Sequence, residues 1–148
     1  MGKHTDVISE NFVSQMGLVF EAENMPRIAG HIFALLVIDG GPLSLHDMSE
    51  RLEISRASAS TNARLLENMG ALERTARKGD RQAFYRLGEN PYARMMQGMI
   101  QRMSKTKALV ETTRTQLPDS RKDARRRLGD LEDFYTQTID ALVRINKG

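Results

Sequence analysis

Apolar positions along the chain follow a helical period almost everywhere and change to strand-like alternation once. From a start capped by Thr5 or Asp6, Ile8, Phe12, Met16, Val19 and Phe20 predict an amphipathic helix to about Glu23. Pro26 suits the first turn of a second helix. Ile28, Ile32, Leu35 and Leu36 form its stripe, and Asp39-Gly40-Gly41-Pro42 stops it. Gly30 inside this helix costs about 1 kcal/mol relative to alanine, which points to a close helix–helix crossing. A third helix spans Ser44 to about Glu53, with Leu45, Met48 and Leu52 inward and Ile54 as the buried residue of the turn. Ser55 caps a fourth that ends near Met69, where Gly70 can turn left-handed. Its inward face is Ala59, Ala63 and Leu66.

The period then changes. Residues 71–77 and 82–87 read as strands around Lys78-Gly79-Asp80-Arg81, with Tyr85 and Leu87 alternating onto one face. Pro91 opens a long helix to about Leu117 carrying Met96, Met99, Ile100, Met103 and Val110. After Pro118-Asp119, a last helix runs from about Ser120 to Asn146, with Leu128, Leu131, Tyr135, Thr138, Leu142 and Ile145 near heptad spacing. The predicted fold is mainly α with one small β-hairpin. Two short helices around a tight turn followed by a basic hairpin is the order of a winged helix-turn-helix. Three regions follow: N-terminal helices over 1–41, a DNA-binding winged helix-turn-helix over 42–90, and a C-terminal helical region over 91–148. The terminal stripes lack a covering layer, and pairing with a second copy would bury them.

Composition narrows the function classes. The 148 residues contain no Cys, which removes disulfides, Cys-ligated zinc and thiol chemistry. There is no apolar run of membrane-spanning length and no leader pattern, so a cytoplasmic protein is expected. The net charge of +3 is unevenly spread. Residues 1–41 hold two Lys/Arg against five Asp/Glu, 54–88 hold seven against three, and 89–148 hold twelve against eight. The positive region begins at the second helix of the motif, which suits a polyanion. His4, His31 and His46 have no partners at metal-ligand spacing, and no phosphate loop or nucleophile–base pair is present. The sequence therefore predicts no enzyme, no metal and no cofactor.

In such a motif the start of the second helix meets base edges and phosphates. Its outward candidates are Ser55, Arg56, Ser58, Ser60, Thr61 and Arg64, with either arginine able to fork onto guanine. Arg77, Lys78 and Arg81 crowd the hairpin turn, where phosphates or the minor groove would relieve their repulsion. Asp80 is expected to orient Arg81 or another local cation. An apolar effector pocket, if one exists, is expected between Met16, Phe20 and Phe33 and the group Tyr85, Met96 and Met99; packing is the competing reading for these residues. The basic run Arg121, Lys122, Arg125, Arg126 and Arg127 reads either as a further phosphate contact or acidic-partner surface or, more commonly for such a run, as a solvated face paired with Asp119, Asp123 and Asp130, and it is not assigned to the operator.

The stretch from Pro42 to Leu87, preceded by MPRIAGHIFALLVIDG, resembles the GbsR branch of the MarR-type transcriptional regulators. The resemblance covers about residues 10–92. It rests on Pro26-Arg27 with Ala29-Gly30, on Ser60-Thr61-Asn62, and on Lys78-Gly79-Asp80-Arg81 with Tyr85. It implies a bacterial homodimer on a pseudo-palindromic operator, commonly a repressor modulated by a small molecule. It also implies DNA-facing roles for Ser55, Arg56, Ser60, Thr61, Asn62 and Arg64, with Arg81 at the wing tip. Glu53 stands where a glycine is usual between the two helices. The competing expectation is a protein-interaction module whose C-terminal helices bind a protein partner.

Overall fold

In the computed structural model residues 3–147 are described, with side chains from Asp6 onward. Helix α1 (Lys3–Ala22) starts earlier than its cap signals suggested, so Thr5 and Asp6 lie inside its first turn. It packs along α2 (Arg27–Asp39), which Pro26 precedes as N-cap residue. The crossing is set by glycines. A Cβ on Gly30 would lie 2.5 Å from the Met16 carbonyl oxygen, and the space beside Gly17 is taken by the His31 ring. The close crossing implied by a mid-helix glycine is therefore present, and His31 is one of its packing residues.

Burial holds the His31 imidazole below the usual histidine range. Nearby Arg27 adds to that shift, while Glu21 opposes it. A histidine that resists protonation when folded stabilises the protein fully above its unfolded value of about 6.5. That contribution is lost as pH falls through this value towards the folded one. Denaturant midpoints should therefore drop on acidification below about pH 6.5, with a shallower drop in His31→Gln. Equal slopes in the two proteins would contradict this.

Two buried layers follow. Ile32 and Leu36 of α2 are fully buried, as are Ala59, Ala63 and Leu66 of α4 (Arg56–Asn68). Small residues at positions 59 and 63 let α4 approach α2 closely. Helix α3 (Leu45–Leu52) contributes Met48 to the same core. A reciprocal capping box starts it: the Asp47 N–H donates to Ser44 Oγ and the Ser44 N–H donates to Asp47 Oδ2, both at 3.0 Å. Glu53 ends it in the left-handed region, φ 54° and ψ 48°. A side chain there costs about 1–2 kcal/mol, partly offset in any glycine variant by unfolded-chain entropy. Glu53→Gly should raise stability by about 1 kcal/mol, or about 2–4 °C in Tm; an unchanged or lower Tm would contradict the strain.

The sheet has three strands, one more than the periodicity predicted. β1 (Leu43–Ser44) and β2 (Glu73–Thr75) both pair antiparallel with the central β3 (Phe84–Arg86). The ladder is shorter than the strands expected over 71–77 and 82–87. The expected alternation of Tyr85 and Leu87 is also replaced. Phe84 and Tyr85 are both buried, at 4% and 3% exposure, because β3 is the middle strand and is covered on both faces. Leu87 is only half-buried, and its N–H reaches the Gly40 carbonyl.

The chain divides into residues 1–92 and 93–148. The N-terminal helices thus share one unit with the helix-turn-helix. In the second unit, α5 (Pro91–Gln116) and α6 (Lys122–Lys147) run antiparallel, shown by Arg114 forked onto Glu132 at 2.9–3.2 Å and by the Asn146–Gln97 contact. Val110 is buried, but no residue of α6 is. Leu131, Phe134 and Ile145 are exposed, as are Val7, Ile8, Leu18 and Val19 of α1. Ile8 and Val19 of the α1 stripe are thus left uncovered within one chain.

Candidate nucleic-acid interface

Ser55 caps α4 by accepting the Ser58 N–H at 3.0 Å. Its oxygen satisfies one of the free donors at the helix start, and the positive end of the helix points the same way. Ser55, Arg56, Thr61 and Arg64 are exposed, with Ser58 and Ser60 partly so. Arg64 Nη2 donates to Ser60 Oγ, 3.2 Å away and one turn earlier. That contact orders the guanidinium along the outer face. Ala57 is also exposed, offering a methyl group where the polar candidates offer hydrogen bonds.

Asn62 is turned inward and is removed from this surface. It is 8% exposed, and its Nδ2 donates to the Ser58 carbonyl at 2.9 Å. The signal was readable, since 59, 62, 63 and 66 form one i, i+3, i+4, i+7 stripe on α4. Buried in that stripe, its amide serves the helix.

The wing tip occupies residues 76–83, outside the ladder. Gly79 turns it with φ 82°, and the Asp80 N–H donates to the Arg77 carbonyl at 3.0 Å. Asp80 Oδ1 accepts the Gln82 N–H at 2.9 Å. Asp80 is thus a turn-forming residue, in place of its expected role in orienting a cation. Arg77 lies over the Phe84 ring, 4.4 Å from its centroid. Lys78 and Arg81 are exposed and have no ion-pair partner among the described residues. The Asp47 carboxyl is held below the usual carboxylate range, first by the Ser44 N–H, with Arg77 contributing in the same direction.

A helix face rich in hydroxyls and arginines beside a basic hairpin is chemistry for a phosphate backbone and groove edges. Residues 24–83 match the MarR family. The HTH-type transcriptional regulator MmpR5 of Mycobacterium tuberculosis is 34% identical over 152 residues, spanning 99% of this chain and 91% of the relative. The chain belongs to the MarR family. A crystal structure of a transcriptional regulator also superposes with a TM-score of 0.86 at 29% identity, covering 94% of this chain and 95% of that one. This MarR-family chain is a DNA-binding transcriptional regulator, and its residues work by binding rather than by catalysis.

Other features bear on this MarR-family chain. Among the described residues, no cluster of three metal-ligating side chains occurs, and no helix is long and apolar enough to cross a membrane. The residues expected to line an effector pocket have different situations. Phe20 and Phe33 pack ring to ring at 5.9 Å, with Met16 half-buried on the same helix as Phe20. Tyr85 is closed into the sheet, and burial pushes its hydroxyl above the usual tyrosine range. Met96 and Met99 belong to the second unit, where Met99 is 42% exposed. A cleft of about 460 Å³ lies elsewhere in the first unit, between Glu10 and Val13 of α1, Ile38 and Asp39 of α2, and Arg51 and Leu52 of α3. An Arg51–Asp39 ion pair joins α3 to α2 beside it. In the basic run, Arg125 and Arg126 pair with Asp119 and Asp123, while Arg121, Lys122 and Arg127 face solvent.

Proposed function

We propose that this regulator acts in the cytoplasm as a homodimeric repressor on a pseudo-palindromic operator. Each protomer places α4 in a major groove and its wing over the adjacent backbone or minor groove. The observation that carries this reading is the shared exposure of Arg56, Thr61 and Arg64 on α4 with Lys78 and Arg81 on the wing. Ser55, Ser58 and Ser60 add hydroxyls for phosphate oxygens. The dimer is supported by α6, whose apolar residues are nowhere buried within one chain, and by the exposed Val7 and Ile8 of α1. Burying such a stripe is what helix pairing accomplishes.

Twofold symmetry then requires half-sites about 10–11 base pairs apart. Fluorescence-anisotropy titration on fragments of the source genome tests the reading, with sedimentation giving the oligomeric state. The expected result is a dimer that prefers particular fragments over random duplex and weakens steeply with salt. Equal affinity for every duplex would count against an operator-specific regulator, and a monomer at binding concentrations against the paired arrangement. Increased transcription from an occupied promoter would count against repression.

A further inference from the structure

We infer that Arg77 positions the wing by stacking on Phe84 and that the phosphate contacts of the wing are made by Lys78 and Arg81. This rests on the DNA-binding reading and divides three neighbouring cations into two roles. Thr75, the last residue of β2, is the ladder partner of Phe84, so the chain leaves the sheet directly beside that ring. Two residues later, the Arg77 guanidinium carbon lies 4.4 Å from the ring centroid. Phe84 is itself buried, and across β1 its partner is Ser44, the cap of α3. The stack therefore joins the root of the wing to the sheet where the sheet meets the first helix of the motif.

The backbone of Arg77 is engaged as well. Its carbonyl accepts the Asp80 N–H that closes the tip turn. With the side chain on the ring and the carbonyl in the turn, Arg77 determines the direction in which residues 78–81 leave the sheet. A guanidinium stacked on an aromatic face gives up mobility to its own protein. Lys78 and Arg81 make no such contact among the described residues, and their charges project from a turn that Asp80 holds in shape.

The experiment uses the full chain, a random-sequence duplex of roughly 30 base pairs, enough for two half-sites one helical turn apart, and anisotropy titrations at several salt concentrations. A phosphate contact contributes about 0.9 to the slope of log affinity against log salt. Lys78→Ala and Arg81→Ala should each reduce the slope of the dimer by about 1.8, because each removes one such contact from both protomers. Arg77→Ala should keep the wild-type slope while weakening binding of the dimer about five- to thirtyfold, the effect of removing one exposed cation–π pair from each protomer. Arg77→Tyr should restore affinity, since an uncharged ring can stack on Phe84. Without DNA, Arg77→Ala should speed amide exchange across residues 76–83, and Arg77→Tyr should slow it again.

A slope reduced by Arg77→Ala as much as by Lys78→Ala would overturn the division of roles. So would unchanged exchange in the wing, or a tyrosine variant that fails to recover affinity. If the wild-type chain bound no duplex, the DNA-binding reading would fall, and the phosphate roles of Lys78 and Arg81 with it. The exchange measurement would still decide whether Arg77 holds the wing.

Discussion

Gly30→Ala should destabilise the protein by about 3 kcal/mol, the upper end of ordinary overpacking costs. The added methyl would lie 2.5 Å from the Met16 carbonyl oxygen, 2.9 Å from Phe20 Cγ and 3.0 Å from the Gly17 Cα. Two of those atoms are backbone, so no rotamer change can make room and α1 must move away from α2. Helix propensity works in the opposite direction, since alanine in a helix interior is better than glycine by about 1 kcal/mol. The steric term wins because the crossing has no slack. His31 fills the space beside Gly17, and the Phe20 ring packs against Phe33. Urea unfolding followed by circular dichroism measures the change. A neutral or stabilised variant would show that the crossing is looser than the structure has it.

The second large effect is on DNA. Arg64→Ala combined with Arg81→Ala should weaken operator binding by about a hundredfold or more, each arginine supplying roughly 1–3 kcal/mol at the DNA surface. The two sites lie on different elements, so their effects should add approximately. Their signatures should also differ. Arg64, exposed on α4 and ordered by Ser60, is the proposed base-reading residue. Removing it should reduce preference for the operator over random duplex. Arg81, on the wing tip, should affect all duplexes alike and lower the salt slope of the dimer by about 1.8, one contact from each protomer. Both side chains are exposed, so the double variant should remain folded. Unchanged affinity in a folded dimer would overturn the assigned surface.

Much of the site was legible because its determinants are local. Ser55 and its acceptor contact with the Ser58 N–H lie three residues apart, as do Ser44 and Asp47 in the capping box. Hydrogen bonds of that span depend on the backbone of one turn, so residue type and spacing are enough to anticipate them. The outward placement of Arg56, Thr61 and Arg64 follows from the helical period once Ala59 and Leu66 are taken as core. Asn62 was misplaced for a different reason. Only the family resemblance put it on the DNA-facing side, although the helical period already placed it on the buried stripe.

Other features were hidden because their partners are distant in sequence. β1 is two residues long and exists only because β3 lies beside it, with Leu43 opposite Tyr85. Nothing within residues 43–44 distinguishes a strand from a helix lead-in. The burial of both Phe84 and Tyr85 depends on β3 being the middle strand, which alternation along one segment cannot report. The stack of Arg77 on Phe84 joins residues on opposite arms of the hairpin, so the run of cations around the turn looked uniform until the ring was in place.

By itself, the sequence determined the helices, the cap of α4, the order of the winged helix-turn-helix and the side of α4 that meets solvent. Each of these follows from interactions within a few residues. Tertiary structure alone decided how closely α1 and α2 cross, which strand became central, and which wing cation is held against the protein. Those outcomes depend on surfaces brought together from far apart in the chain, where fit and burial set the result and local propensity does not.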